Sequence, residues 1–538
     1  MLQLEDLQFV WPVFLAFSLL LVSKHLYQKF YQRDHLPKGT LGNHNWTRIT
    51  DVSKVCQCSV CEMLLMNNLN EYYCDCCGVC ADLKCIPGAN ANIKCKQISV
   101  TQDKQTAMKH LWTKGYMLLE TSLCDVCEEE CDVPNQIDFQ CAWCLRTVHT
   151  DCKPKIAEVC DFGPYKKFVI PPNCVTLETK RAGVRFRKSH VITIHDPGWT
   201  PWTPLIVLGN RKSGNGDGSH VLSTFRRLLN PLQVVDLADK SPEEALHWVT
   251  LVPSRGQSLI LAAGGDGTAA WILNTIHSMK MDPAPSVGII PLGTGNDLSR
   301  VLGWGKLFNK DSCSAFQILD SLTRSQVAHL DRWSVQIKSI RQLRLTRAIK
   351  SKWMYNYLSI GVDAQVALDF HNTRESSLYI CSSRAFNKFL YLTFGTQQAM
   401  ERLCKDLEQR IELYLDGTRV NLPPIESVVV LNIPSWAAGV DLWKLGRDSE
   451  DGTSCSEDQK MDDAKIEVMA LYSSFHIARL QVGLSEPLKL GQASQVKIKL
   501  LNKTPMQIDG EPWLQPPAMI ILSHVDKANV LMLSTETE

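Results

Sequence analysis

Leu205-Ile-Val-Leu208 running into Gly209-Asn-Arg-Lys-Ser-Gly-Asn-Gly-Asp-Gly218, Ser258-Leu-Ile-Leu-Ala-Ala263 running into Gly264-Gly-Asp-Gly-Thr268, and Val287-Gly-Ile-Ile290 running into Pro291-Leu-Gly-Thr-Gly-Asn-Asp-Leu298 repeat one phrase three times. Each is an unbroken apolar run, a glycine-rich turn and a helix pattern; the helices read as Ser219 to Leu229, a stretch through Ile276, and a short one to Leu302. Strands that alternate with helices build a parallel α/β sheet, whose ligands sit at the carboxyl ends of the strands. All three turns fall at that edge. Glycines let backbone N–H groups converge on phosphate oxygens, and helix N-termini add partial positive charge. Asp266 and Asp297 supply the carboxylates that a magnesium–phosphate complex requires. No Gly-x-x-x-x-Gly-Lys-Ser/Thr occurs, which excludes a Walker-type NTPase.

Outward from this core, the chain has 538 residues, room for three or four domains, and an ordinary globular composition of 45% apolar and 21% charged residues. With 57 Lys+Arg against 56 Asp+Glu, the net charge of +1 argues against a nucleic-acid partner. Cysteine is the outlier at 21 residues, and all but Cys174, Cys313, Cys381, Cys404 and Cys455 lie between Cys56 and Cys160. Eight ligands there keep regular spacing: His110-x13-Cys124-x2-Cys127-x13-Cys141-x2-Cys144-x4-His149-x2-Cys152-x7-Cys160. That is the ligand count of two closed, structural Cys3His zinc sites. A segment this short buries too little apolar surface to fold alone, so the metals supply folding energy. The preceding segment repeats the plan as His44, Cys58, Cys61, Cys74, Cys77, Asp82, Cys85 and Cys95, with Asp82 where the second module has His149. Cys56, Cys76 and Cys80 are spare thiols that could shift its register.

Residues Leu7 to Ser23 form 17 uncharged positions, eleven of them Leu, Phe or Val. That is the short end of a membrane span. Glu5 and Asp6 precede it while Lys24, Lys29 and Arg33 follow, so the positive-inside rule places the remainder in the cytosol. No basic n-region or small-residue cleavage site marks a signal peptide; a re-entrant hairpin bent at Pro12 is the alternative. The expected location is the endoplasmic reticulum or plasma membrane. Residues 161–200 carry Lys166, Lys167, Lys180, Arg181, Arg185, Arg187 and Lys188, either a solvated linker or a face toward anionic lipid. Arg341, Arg344, Arg347 and Lys350 recur every third residue and would form a cationic stripe on a helix, while Asp448 to Asp463 reads as an acidic surface loop.

Gly264-Gly-Asp-Gly-Thr268 with Pro291-Leu-Gly-Thr-Gly-Asn-Asp-Leu298 resembles the catalytic domain of diacylglycerol kinases, with sphingosine, ceramide and NAD kinases more distantly similar. Asn356-Tyr-Leu-Ser-Ile-Gly-Val-Asp-Ala364, Asn432-Ile-Pro-Ser-Trp-Ala-Ala-Gly-Val440, Asp462-Asp-Ala-Lys-Ile-Glu-Val468 and Ile508-Asp-Gly-Glu-Pro-Trp513 resemble that family's accessory domain, and the cysteine-rich segments resemble its zinc modules and those of protein kinase C. Lipid-binding modules of this kind part their strands at a Gln-Gly pair; Asn70-Glu-Tyr-Tyr-Cys74 and Asn135-Gln-Ile-Asp-Phe-Gln-Cys141 have none, which favours a scaffold or interaction surface over lipid capture.

The resemblance implies an anchor at 1–35, zinc modules at 44–95 and 110–160, a linker at 161–200, a catalytic domain at 201–335, a β-rich accessory domain at 350–520 and a tail at 521–538. This layout is similar to the epsilon-type branch of the family. It implies ATP at Asn210, Ser213, Gly214, Gly264, Gly265, Gly267, Thr268, Gly293, Thr294, Gly295 and Asn296, with Asp266, Asp297, Asp509 and Glu511 as the catalytic carboxylates. Asp266 or Glu511 would take the proton of the lipid hydroxyl. The implied cofactors are ATP, Mg2+ and structural Zn2+. The implied partners are 1,2-diacylglycerol as substrate and the anionic membrane; no protein partner is named. A sphingosine or ceramide kinase, and a non-catalytic membrane adaptor on the same fold, are the competing readings.

Overall fold

The computed structural model describes residues 43–49, 56–65, 70–100, 107–114, 123–131, 138–181, 187–253, 257–309, 314–340, 349–375, 404–447 and 457–534. The expected anchor, Arg185, Arg341, Arg344, Arg347 and most of the acidic stretch lie outside them. Among the described residues no helix is long and apolar enough to cross a membrane. The chain forms two compact units, one of residues 1–166, 170–199 and 226–253, the other of residues 167–169, 200–225 and 254–538.

In the larger unit, β1 (Leu205–Gly209), β2 (Leu259–Gly264) and β3 (Ser286–Pro291) are parallel and in register, with Leu205 opposite Leu259 and Leu259 opposite Ser286. Nearly all their side chains are buried, so they read as continuous apolar runs rather than alternating ones. After them come α1 (Asp217–Leu228), α2 (Asp266–Ser278) and α3 (Asp297–Val301). Helix α2 buries Ala269, Ile272, Leu273 and Ile276, the helical spacing of an inward stripe.

Beyond β3 the chain turns antiparallel. β4 (Gln326–Ser339) pairs β5 (Ile349–Met354) and runs against the last strand over fourteen positions, from Gln326 opposite Met532 to Ser339 opposite Ala518. Lys350 and Lys352 therefore lie on β5, a strand, where a repeat of three does not keep one face; the helical stripe expected there fails at its described end. The remaining strands are β6 (Tyr357–Gly361), β7 (Ile411–Leu415), β8 (Thr418–Val420), β9 (Ser427–Leu431), β10 (Ile466–Leu471), β11 (Leu488–Ala493), β12 (Gln495–Leu500), β13 (Thr504–Ile508), β14 (Glu511–Gln515) and β15 (Ala518–Met532). One sheet continues β3-β15-β12-β7-β8, with β4 also on β15; a second is ordered β11-β10-β9-β6-β13-β14. Trp333, Val335 and Ile337 of β4, Leu358 and Ile360 of β6, Val428 and Val430 of β9, and Ile520 and Leu522 of β15 share one core, which makes this lobe a β-sandwich. In β12 every second residue is buried, as a sheet with one wet face requires.

Glu467 of β10 is wholly buried, with Gln492 Nε2 donating to its Oε1 at 3.0 Å. Burial pushes its carboxyl from 4.5 up to about 8. A raised acid confers stability that is complete below pH 4.5 and is lost as pH climbs through 8. Glu467→Gln is therefore expected to raise the melting temperature by about 5 °C at pH 8 and to leave it nearly unchanged at pH 4.5. Thermal melts of both proteins across that range check it.

In the smaller unit, Trp46–Arg48, Glu71–Cys74 and Cys80–Asp82 form one three-stranded sheet, and Trp112–Lys114, Phe139–Cys141 and Thr147–Val148 another. Residues 226–233 are built into this unit. Buried Lys96 donates to the carbonyls of Arg226, Arg227 and Leu229, which a helix end leaves without intrahelical partners, and lies 4.7 Å from the Trp143 ring centroid. Arg226 pairs with Asp75 at 2.6 Å, both nearly buried, and Asn45 also donates to Asp75. Part of the basic linker, Val175–Arg181 with Arg187–Ile194, is an antiparallel hairpin rather than an irregular connection.

Candidate active site

The second and third glycine turns meet. A Cβ on Gly293 would lie 2.6 Å from the Gly265 Cα, and one on Gly265 would lie 3.0 Å from the Gly293 Cα, so only glycine permits this approach. The first turn adjoins the second, where the Asn210 amide donates to the Ala263 carbonyl at 3.2 Å. Within the first turn the Asn210 side-chain oxygen accepts the Lys212 amide, the Ser213 amide donates back to the Asn210 carbonyl, and Gly214 holds φ at +66°. Helix α2 already begins at Asp266, so Asp266, Gly267 and Thr268 are its first turn and the true loop is Gly265 alone. The amides of that turn are the ones a helix leaves free for an anion.

Asp266 joins the turns electrostatically. Its two carboxylate oxygens accept the Asp297 amide at 3.1 Å and the Leu298 amide at 2.9 Å, both at the start of α3. Asp297, 3% exposed, is held in turn from the sandwich lobe: Ser435 Oγ donates at 2.5 Å, and the Ala438 and Gly439 amides donate at 3.1 Å. Three consecutive positive φ values, +48° at Ala437, +72° at Ala438 and +115° at Gly439, aim those amides at one carboxylate. Burial and then the Asp266 charge push the Asp297 carboxyl up to about 6, against the pull of these donors. Arg300 Nε donates to the Gly295 carbonyl at 3.1 Å and so braces the third turn.

Asn296 is spent inside that turn: its amide donates to the Gly293 and Lys306 carbonyls, its oxygen accepts the Gly293 amide, and its φ is +55°. Asp509 accepts the amides of Tyr355, Asn356 and Tyr357 at 2.8, 2.8 and 3.1 Å, which pins the β5–β6 turn. Burial pushes its carboxyl up to about 7, and the Asp266 charge adds to that shift. Glu511, two residues on, is 75% exposed in its side chain and lies 3.5 Å from Lys352 Nζ. Asp266 thus acts electrostatically on both Asp297 and Asp509. Asp266 and Asp297 carry oxygen lone pairs beyond those used by their donors, the hard-oxygen set that fits a magnesium ion.

The sequence alone had not singled out Ser435 or Arg300. The run of small residues Ala437-Ala438-Gly439 was the available clue, because such residues accept left-handed backbone at least steric cost. Ser435→Ala removes one of the donors on Asp297 while keeping the backbone pair. It is expected to cost about tenfold in kcat with an unchanged melting temperature, measured by steady-state kinetics beside a melt.

The thiols and imidazoles gather into metal-sized groups: His44, Cys74, Cys77 and Cys95; His110, Cys141, Cys144 and Cys160; Cys124, Cys127, His149 and Cys152; and Cys58, Cys61 and Cys85. Three of these groups gather the four ligands that a structural zinc site takes. His44 Nε2 lies 3.0 Å from the Ile93 carbonyl and His149 Nε2 3.2 Å from the Glu130 carbonyl, which leaves each Nδ1 facing its cysteines. In the fourth group Asp82 is not part of the thiol trio, and its carboxylate instead accepts the Lys84 amide at 2.9 Å.

A parallel sheet with three glycine turns at its carboxyl edge, paired aspartates on the helix starts and a β-sandwich lobe reaching into them defines an α/β kinase-like catalytic unit. Residues 204–331 match the diacylglycerol kinase catalytic domain, residues 353–512 the diacylglycerol kinase accessory domain, and residues 110–163 the phorbol ester/diacylglycerol binding domain (C1 domain). The chain belongs to the diacylglycerol kinase family. It is 31% identical to probable diacylglycerol kinase 3 of Caenorhabditis elegans, over 91% of this chain and 64% of that one. It is 28% identical to diacylglycerol kinase 2 of Arabidopsis thaliana, over 92% and 84% respectively. Identity is 37% to diacylglycerol kinase theta of Mus musculus, over 60% of this chain and 34% of that one. The chain thus spans less than two thirds of the first and third of these relatives.

Proposed function

We propose that this protein is an ATP- and magnesium-dependent kinase that converts 1,2-diacylglycerol to phosphatidate at a membrane. The observation that carries it is the junction of the second and third turns, where Asp266 and Asp297 are locked together and gripped by the sandwich lobe. The amides of the three turns bind the nucleotide phosphates, and the β4–β15 sandwich presents the lipid. Asp266 is the essential carboxylate, and with Asp297 it would hold the ion, which when bound neutralises charge on the transferring phosphoryl group. The lipid hydroxyl oxygen bonds to the γ-phosphorus as the bond to the ADP oxygen breaks, and the hydroxyl proton passes to a carboxylate at this site. Asp509 positions the β5–β6 turn rather than touching substrate.

The remaining particulars belong to the same reading: an epsilon-type enzyme anchored through Leu7–Ser23 with its body in the cytosol, zinc modules that scaffold, and preference for arachidonoyl-type chains. Such an enzyme attenuates diacylglycerol signalling and feeds phosphatidylinositol turnover. Full-length protein given labelled ATP and mixed micelles of diacylglycerols, sphingosine or ceramide tests it. Label in phosphatidate, greatest with arachidonoyl chains, is expected; label only in sphingosine or ceramide phosphate, or none, overturns it.

A further inference from the structure

The helix Ser474–Gln481 buries one side and leaves the other open. Its His476, Ile477 and Leu480 are buried, while Phe475 is 67% exposed. At 100° per residue, Phe475, Arg479 and Val482 share the opposite face. Val482 is 66% exposed and Leu484 65%. The chain leaves the helix through Gly483, with φ +71°, whose amide donates to the Leu480 carbonyl, while the Leu484 amide donates to the Arg479 carbonyl at 2.9 Å. In such a C-terminal cap the residue at the Leu484 position ordinarily packs on the one at the Arg479 position. Here that partner is a charged side chain, whose Nη2 reaches the Leu484 carbonyl at 2.7 Å, and the leucine projects outward. Three large apolar side chains are therefore wet within ten residues, where a single exposed one would be ordinary.

The rim is basic. Arg479 and Arg447 both bear on His476, whose imidazole burial and then these cations push below its usual range. Arg447 stands 5.8 Å from the Tyr472 ring centroid and Lys489 4.8 Å from that of Trp443. An apolar stripe with a cationic border matches the interface of an anionic bilayer: acyl chains take the side chains and headgroups take the charges.

We propose that Phe475, Val482 and Leu484 insert into the surface of an anionic bilayer and seat the sandwich lobe on the membrane that holds its lipid substrate. The proposal rests on the lipid-kinase reading above and adds a second membrane contact, separate from the N-terminal segment. Its test uses the full chain, with hydrogen exchange followed over residues 474–484 with and without vesicles of phosphatidylserine and phosphatidylcholine. Protection of that segment by at least about tenfold is expected, absent on pure phosphatidylcholine. Phe475→Glu with Leu484→Glu should raise KM for long-chain diacylglycerol in these vesicles about tenfold, leaving KM for ATP and turnover of short-chain, dispersed diacylglycerol unchanged. Unchanged exchange on anionic vesicles overturns the proposal, as does an unchanged vesicle KM or a patch variant whose only effect is a changed oligomeric state. If neither form phosphorylates even dispersed diacylglycerol, the lipid-kinase reading falls, while the exchange result still decides the contact.

Discussion

Asp266→Asn is expected to lower phosphatidate formation at least about a thousandfold, equivalent to about 4 kcal/mol of lost transition-state stabilisation. The substitution keeps the shape of the side chain but removes the charge at the junction of the second and third turns. It also sets a donor amide against either the Asp297 or the Leu298 amide, each of which now finds a carboxylate oxygen. Steady-state kinetics with excess magnesium, beside a melt and a membrane-flotation assay, checks it: turnover should vanish while folding and membrane attachment persist. Glu511→Gln supplies the contrast. That side chain is 75% exposed, with Lys352 at 3.5 Å, so its loss is expected to cost under about tenfold. A loss as large as that from Asp266→Asn would move the proton-accepting role to Glu511.

The second large effect concerns zinc. The four-ligand groups at His44, His110 and Cys124 organise segments with little apolar core of their own; in one cluster the ligands Cys74, Cys77 and Cys95 are buried with only Cys76, Val79 and Ala142. Structural zinc contributes about 10–16 kcal/mol in small modules of this kind. Cys141→Ser is therefore expected to unfold the 110–163 module, read as new protease cleavage within it and as loss of about one zinc equivalent by atomic absorption. Chelator titration of the unmodified chain should draw first on the Cys58–Cys61–Cys85 group, which gathers three thiols where the other groups gather four ligands. Retention of all zinc by Cys141→Ser would contradict the ligand assignment.

Much of this was legible in residue order. Apolar runs such as Leu205–Leu208 ending in glycine allow one local structure, and Cys-x2-Cys pairs with fixed partners permit few others, because short-range sterics and ligand geometry decide both. Asp266 and Asp297 could be picked out as the carboxylates of the glycine turns, although the structure makes them the first residues of α2 and α3. Motif position said nothing of the backbone groups that Asp509 and Asn296 hold: the Tyr355 amide on Asp509 and the Gly293 carbonyl on Asn296. Asp82 stood at a ligand's place in the spacing, yet its carboxylate turned to the Lys84 amide.

The chain by itself determined the parallel α/β lobe, the zinc spacing and the three glycine turns, since each is read from residue types at regular spacings along the chain. Tertiary structure decided what holds the acidic pair. Ser435 and the amides of Ala438 and Gly439 lie about 140 residues from Asp297 and reach it only because the β-sandwich brings them there. It likewise decided which face of Ser474–Gln481 stays wet, because exposure depends on what packs against a helix and not on its own periodicity.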